Sequence, residues 1–197
     1  MQSYFRAWYA GGVTAAEVRP PLDRAAIVLA ALRLLDEVGL DQLSTRRLAA
    51  DLGVKGPSLY WHFRNMAELR DLMADRLLTD ALPSPDAFDD WKAWLAEGAR
   101  GYRRAALSHR DGARILAGAR PTEARRTHRF GPNIARLRAE GFDERAAWGA
   151  FMVLARYAMG FALAEQAGRG ATANSTETFE MGLSALVDGL ELRLSRG

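Results

Sequence analysis

Apolar side chains recur along this chain at intervals of three and four residues, the spacing that lines one face of an α-helix. No run shows the period-two alternation of a half-buried strand. Ile27, Ala31, Leu34, Leu35 and Val38 form the first stripe and predict a helix from Asp23 to Val38, with Gly39 as its stop. Ser44 can cap a short second helix running to Leu52, where Gly53 stops it. A third short helix is predicted from Pro57, a residue suited to a first turn, to His62. Asn65 can cap a fourth that reaches Leu82 before Pro83-Ser84-Pro85 ends it. Further helices are predicted near 89–108, 111–118, 122–140, 143–167 and 176–195, with the segment GRGATANS (168–175) joining the last two. The expected fold is all-α. An N-terminal three-helix unit, residues 21–66, is joined by a linking helix, 67–82, to a C-terminal helical domain, the whole second part being 67–197. Residues 1–20 precede it as an N-terminal extension; its aromatics Tyr4, Phe5, Trp8 and Tyr9 leave docking and disorder equally open.

Composition narrows the chemistry. At 197 residues, 49% hydrophobic and 26% charged, the chain can bury one substantial core, or one core with a small satellite. The absence of cysteine excludes disulfides, a thiol nucleophile and cysteine zinc sites. His62, His109 and His128 lie too far apart for a local histidine-pair site, so no metal and no cofactor is expected. The stretch from Ala146 to Leu163 is interrupted by Arg156 and falls short of the roughly 20 residues of a membrane span. The start, MQSYFRAWYAGGV, lacks the apolar core of a signal peptide. A cytoplasmic protein with no membrane partner is expected. Charge is unevenly spread: residues 44–66 carry +3, 67–99 carry −5, 100–138 carry +9 and 139–197 carry −3. The basic N-terminal unit suits an anionic partner, whereas the arginine-rich 100–138 segment reads as a solvated helical face.

Within Ser44 to Phe63, Leu48, Leu52, Val54 and Leu59 can form a core shared by two short helices. Gly53 makes the tight turn that lets them cross steeply, as in a helix-turn-helix. Such a unit buries too little to stand alone, so the first helix and residues 66–82 must complete it. Thr45, Arg46, Lys55, Pro57, Ser58, Tyr60, Trp61 and His62 are then left facing outward. Short donors, aromatic edges and cations on one small surface suit a phosphate backbone and a major groove. Taken singly, Tyr60 and Trp61 also fit a core role, and His62 a capping one. Only the ensemble points to double-stranded DNA.

The predicted helix 143–167 is apolar almost all round, through Trp148, Phe151, Met152, Leu154, Tyr157, Met159, Phe161 and Leu163, and must be covered on several sides. Gly149, Ala158 and Gly160 would let another helix approach closely. The final helix carries a stripe at Phe179, Leu183, Leu186, Val187, Leu190 and Leu194. A monomeric bundle core would use these residues. The family resemblance given below implies a homodimer instead, which is the favoured expectation, because one recognition helix makes too few base contacts and a two-fold operator needs a two-fold protein. Its interface is expected at Phe161, Leu183, Leu186, Val187, Leu190 and Leu194.

The run LSTRRLAADLGVKGPSLYWHFRNMAEL resembles the DNA-binding domain of the tetracycline repressor (TetR) family of bacterial transcriptional regulators. LSHRDGARILAGARPTEA, Leu107 to Ala124, resembles the ligand-domain signature of that family's tetracycline repressors, and the similarity covers residues 22–195. The resemblance implies that Thr45 and Arg46 contact backbone or base edges. It implies contacts from Pro57, Ser58, Tyr60, Trp61 and His62 to bases, a thymine methyl or phosphates. Two positions depart: Gly56 stands for a base-reading Gln, and Met66 for a phosphate-binding Lys, with Arg64 or Lys55 as candidates to compensate. The operator is expected to differ accordingly.

The same resemblance places Leu82, Gly98, Tyr102, Leu116, Ala119, Arg120, Pro121 and Ala164 where tetracycline repressors hold drug and magnesium. Here Leu116 stands for the metal-ligating His, Ala119 for a helping Thr, and Ala164, beside Glu165, for the acidic residue reaching metal-bound water. Leu82 and Gly98 replace drug-contacting His and Asn. Magnesium–tetracycline is therefore not the expected inducer. A hydrophobic or aromatic small-molecule effector is, in a pocket drawing on Leu82, Tyr102, Leu116, Arg120, Pro121, Trp148, Phe151 and Met152. Arg156, facing inward, would favour an acidic group on it; a snorkelling or ion-paired Arg156 is an equal alternative. The function expected is a ligand-responsive transcriptional regulator, a repressor released from a palindromic operator. Alternatives are a ligand- or partner-binding helical module with weakened DNA binding, and a helical-bundle enzyme. The latter lacks a nucleophile–base pair and a phosphate-cradling glycine loop.

Overall fold

The computed structural model describes residues 22–79, 81–120, 123–168 and 174–195. Among them are nine α-helices and no strand: α1 Arg24–Val38, α2 Thr45–Leu52, α3 Gly56–Leu59, α4 Met66–Thr79, α5 Trp91–Leu107, α6 Gly112–Gly118, α7 Glu123–Ala139, α8 Glu144–Gln166 and α9 Ser175–Leu194, with one 3₁₀ turn at Pro85–Ala87. The N-terminal extension 1–20, Pro121 and most of the 168–175 joining segment lie outside the described residues.

Local chemistry sets the boundaries. Asp23 accepts from the Ala26 amide at 2.7 Å, Ser44 from Arg47 at 3.3 Å, Asn65 from Glu68 at 2.9 Å and Asp143 from Ala146 at 2.8 Å, each satisfying an amide that the first helical turn leaves over. Gly53 closes α2 in the left-handed conformation, φ 63°, open to glycine without strain. Two helices are shorter than expected. The third ends at Leu59, and Tyr60 to His62 continue as turns that carry Phe63 inward to burial. The fourth ends at Thr79, short of Leu82, whose own helical conformation the following Pro83 disfavours.

Two apolar clusters hold the chain together. The first joins α1 to α4 and extends beyond the three-helix unit, to Ala105 and Ala106 of α5, Ala113, Ile115 and Leu116 of α6, and Ala162 of α8. Leu69, Met73, Ala74, Leu77 and Leu78 of α4 belong to the same core as the helix-turn-helix. The second cluster joins α5, α7, α8 and α9 through Trp91, Trp94, Leu137, Phe142, Leu154 and Phe179. There Tyr157 stacks on Phe179 with ring centres 5.3 Å apart and donates to the Phe179 carbonyl at 2.9 Å. A Cβ at Gly182 would lie 2.2 Å from that hydroxyl, so α9 needs glycine at this contact.

Helix α8 corrects one expectation. It runs 23 residues with a mean hydropathy of 1.4 over its most apolar window, long and apolar enough by length and composition alone to cross a membrane. In the fold it packs instead against α5, α6, α7 and α9, and Arg156 lies exposed on it.

Candidate functional site

The outward face of α2 and α3 assembles much as the sequence arranges it. Leu48 and Leu59 are buried beneath the Gly53 turn, with Leu52 and Val54 packed half-buried beside them. Arg46, Lys55 and Pro57 are exposed; Thr45, Ser58 and His62 are half-buried. Tyr60 is 53% and Trp61 88% exposed, which removes the core role for both. An indole presented to solvent is apolar surface placed for a partner to cover. Arg64 lies 3.0 Å from Glu68, whose carboxylate also takes the Arg64 amide at 2.8 Å. These bonds hold the Glu68 carboxyl below its ordinary range and tie Arg64 to the start of α4. At Gly56 a Cβ would meet nothing within 4 Å, so there is open space at this position.

Between α5, α7, α8 and the chain after α4 lies a cavity of about 30 Å³, lined by Leu82, Pro83, Trp94, Leu95, Gly98, Ala99, Tyr102, Asn133, Phe151, Leu154 and Ala155. Of the expected ligand residues it brings together Leu82, Tyr102 and Phe151. Leu116 is buried in the first cluster and does not line it. Trp148 packs on the second cluster one turn before Phe151, and Met152 is half-buried off the lining face. Arg120 is exposed, its amide bonded to Asp71 at 2.8 Å. Arg156, being exposed, brings no charge to the cavity. Sequence reasoning missed Asn133, the buried polar side chain among the described residues at 7% exposure, because its neighbours Pro132 and Arg136 gave α7 no sign of an inward polar position. Burial pushes the Tyr102 phenol up to about 12, so it stays a proton donor at neutral pH.

The helix-turn-helix is bonded to the rest of the protein at the N-terminus of α6. Asp36 at the end of α1 accepts from the Arg110 amide at 2.8 Å and meets His109 Nδ1 at 2.7 Å. Asp111, in the left-handed region at φ 56°, accepts from the Leu40 amide at 2.8 Å and from Arg114 at 3.1 Å. Arg114 reaches on to Asp41 at 2.7 Å and holds that carboxyl below its usual range. Asp111, at the N-cap position of α6, thus joins that helix to the chain after α1.

On the opposite side, α8 and α9 form a broad groove of about 1020 Å³ lined by Gly149, Val153, Ala185, Leu186, Gly189, Leu190 and Leu194 among others. This corrects part of the expected interface. Leu183 is 1% exposed and Val187 is also buried, both spent on the protomer's own core. Phe161 packs against that core through Phe179. Leu186, Leu190 and Leu194 do line the groove, and Met181, 70% exposed, stands out on α9 where the sequence stripe did not place it.

Residues 27–73 match the tetR family of bacterial regulatory proteins, and 82–173 match the tetracyclin repressor-like C-terminal domain. The tetracycline repressor protein class A from transposon 1721 of Escherichia coli is 39% identical over 196 residues, covering 85% of this chain and 89% of that one. The chain belongs to the tetR family. It is similar in structure to a TetR variant from Acinetobacter baumannii AYE in complex with minocycline (TM-score 0.80, 40% identity, 88% of this chain and 98% of that one). It is also similar to class A TetR in complex with 5a,6-anhydrotetracycline and magnesium (TM-score 0.74, 40% identity, 86% and 98%). This tetR-family chain is thereby a ligand-responsive, DNA-binding transcriptional regulator and not an enzyme. Its cavity does not fit a magnesium-borne ligand. The polar side chains that line it beside Trp94 are a phenol and an amide, and no group of three or more His, Asp or Glu gathers among the described residues. Glu165, next to the Ala164 position, is taken by Arg103 at 2.5 Å and by Ser175, which keep its carboxyl below the ordinary range. A hydrated divalent ion wants about six oxygen ligands.

Proposed function

We propose that this tetR-family regulator is a cytoplasmic homodimeric repressor, released from a palindromic operator by a hydrophobic or aromatic small molecule other than magnesium–tetracycline. The cavity lining carries the ligand class: apolar walls from Leu82, Trp94, Phe151 and Leu154, with the Tyr102 hydroxyl and Asn133 amide as its orienting polar groups. Thr45, Arg46, Lys55, Pro57, Ser58, Tyr60, Trp61 and His62 contact DNA from α2 and α3. The α8–α9 grooves of two protomers cover each other.

The cavity's size supplies the mechanism. About 30 Å³ holds little more than a water molecule, whereas a drug-sized ligand needs about 300 Å³ or more. An effector must therefore part the walls, and an enlarged cavity is what would reach toward Leu116, Arg120, Pro121, Trp148 and Met152. One wall, Leu82-Pro83, directly follows α4, which is built into the helix-turn-helix core. Parting it displaces α4 and changes the separation of two recognition helices that need about 34–36 Å to meet successive major grooves. Moving the dimer from mostly bound to mostly free takes about 5.5 kcal/mol of differential affinity, shared by two sites.

The test is titration of the preformed protein–DNA complex with magnesium plus tetracycline, and separately with a panel of apolar aromatic compounds. Release by members of the panel and none by magnesium–tetracycline is expected. Release by magnesium–tetracycline overturns the ligand class.

A further inference from the structure

We infer that Arg24, the first residue of α1, is a DNA-phosphate contact, supplying the cation that Met66 does not; this stands on the DNA reading of α2 and α3. Arg24 Nε donates to the His62 carbonyl at 3.1 Å, which places its guanidinium against the Tyr60–His62 turn whose Trp61 is the most exposed large apolar side chain among the described residues. That turn leads through Asn65 into α4, so the start of α1, the end of the recognition segment and Met66 share one end of the module. Met66, half-buried in the first cluster, offers a phosphate nothing.

Two other arginines, of α1 and of the turn before α4, are ion-paired. Arg64 lies on Glu68 at 3.0 Å, and Arg33, the second arginine of α1, lies 3.7 Å from Asp51. Arg24 reaches no carboxylate at ion-pair distance among the described residues; Glu68, which feels the Arg24 charge, is engaged by Arg64. A guanidinium anchored through Nε keeps its two terminal nitrogens as a planar fork, the geometry that matches phosphate oxygens. Anchoring also lowers the rotamer entropy lost on contact.

The experiment selects a duplex from a random pool with the wild-type chain. It then measures affinity for that duplex against salt for wild type, R24Q, R24K, R33Q and R24Q carrying Met66→Lys, with circular dichroism confirming that each is folded. Each phosphate contact contributes about 0.9 to the log–log salt slope, so loss of one per protomer lowers the dimer's slope by about 1.8. The wild-type advantage over R24Q then shrinks about 12-fold between about 50 and 200 mM salt. R24K and the Met66→Lys double variant should recover the slope, and R33Q should leave it unchanged. An R24Q slope equal to wild type overturns the inference even where affinity falls, since Arg24 would then only position the His62 turn. A pool from which no duplex is enriched overturns the DNA reading and the inference together.

Discussion

Gly101 of α5 lies against the chain that follows α4: a Cβ built there would sit 1.9 Å from the Ala81 carbonyl oxygen and 3.0 Å from its carbon. An ordinary carbon–oxygen contact is about 3.3 Å, so Gly101→Ala must drive the two backbones apart by about 1.4 Å. A backbone carbonyl has no rotamer to yield with, and overpacking of this kind costs about 1–3 kcal/mol or more. Gly98, three residues earlier on the same helix, is the control, because its Cβ would meet nothing within 4 Å. Gly98→Ala should stabilise by up to about 1 kcal/mol, the helix-interior advantage of Ala over Gly. Both variants share that gain, so the clash is read as their difference. At about 2 kcal/mol and about 2–4 °C per kcal/mol for a chain of this size, Gly101→Ala should melt about 4–8 °C below Gly98→Ala. Circular dichroism melts at one fixed protomer concentration measure it. Because the displaced segment is the Leu82-Pro83 wall of the cavity, Gly101→Ala should also bind DNA more weakly without effector. Equal melting of the two variants would refute the argument that this close approach fixes the end of α4.

Acid should loosen the joint between α5, α8 and α9. Arg103 and Arg100 hold the Glu165 and Glu180 carboxyls below their ordinary 4.5, so these pairs stabilise fully above about pH 4.5 and fade as pH falls through the depressed values. Acid titration of Glu165→Gln, followed by circular dichroism, should show a shallower loss than wild type below pH 4.5; superimposable curves would count against the pair. Trp61→Ala, at so exposed a position, should change stability by less than about 0.5 kcal/mol while lowering operator affinity; a lower melting temperature with intact DNA binding reverses the assignment. Val153→Arg with Gly189→Arg places two charges in the α8–α9 groove, where neither site is covered within the protomer. Light scattering should then report monomers with unchanged helicity, and persistence of the dimer would move the interface elsewhere.

Periodicity and capping made the helices legible, because Asp23, Ser44 and Asn65 act locally and Gly53 needs its left-handed conformation whatever surrounds it. The recognition face was legible for a related reason: Leu48 and Leu59 can point only inward, which leaves Arg46, Lys55, Tyr60 and Trp61 outside. The cavity was less so. A stripe of apolar residues on α8 says that several faces are covered, not by what, so Phe151 meets the cavity while Trp148 and Met152 do not. Leu183 and Val187 failed as interface residues for the same reason: the pattern does not separate a stripe that meets α8 within one protomer from one that meets a second copy. Asn133 and the Asp111 junction depend on long-range contacts that no local spacing encodes.

The two ends of the link between cavity and DNA surface are held by different physics, and under the proposed mechanism that difference decides what moves. At α6 the helix-turn-helix is fastened by directed bonds donated by the Arg110 and Leu40 amides to Asp36 and Asp111, and these bonds lose energy steeply with small changes of distance and angle. Where the chain after α4 walls the cavity, Leu82 and Pro83 face mostly apolar side chains, with a long 3.4 Å bond from Trp94 Nε1 to the Pro83 carbonyl. Apolar surfaces can slide or part, with an entering apolar ligand replacing much of the lost burial. A guest that opens the cavity therefore displaces the α4 end first and leaves the α6 junction in place. The DNA-binding unit then turns about α6 and does not simply translate. Cutting the junction with Asp111→Gly, which removes the acceptor, and with Leu40→Pro, which removes the donating amide, should consequently weaken the coupling between effector and DNA more than it weakens effector binding. Equal losses in both would show that the junction serves stability alone.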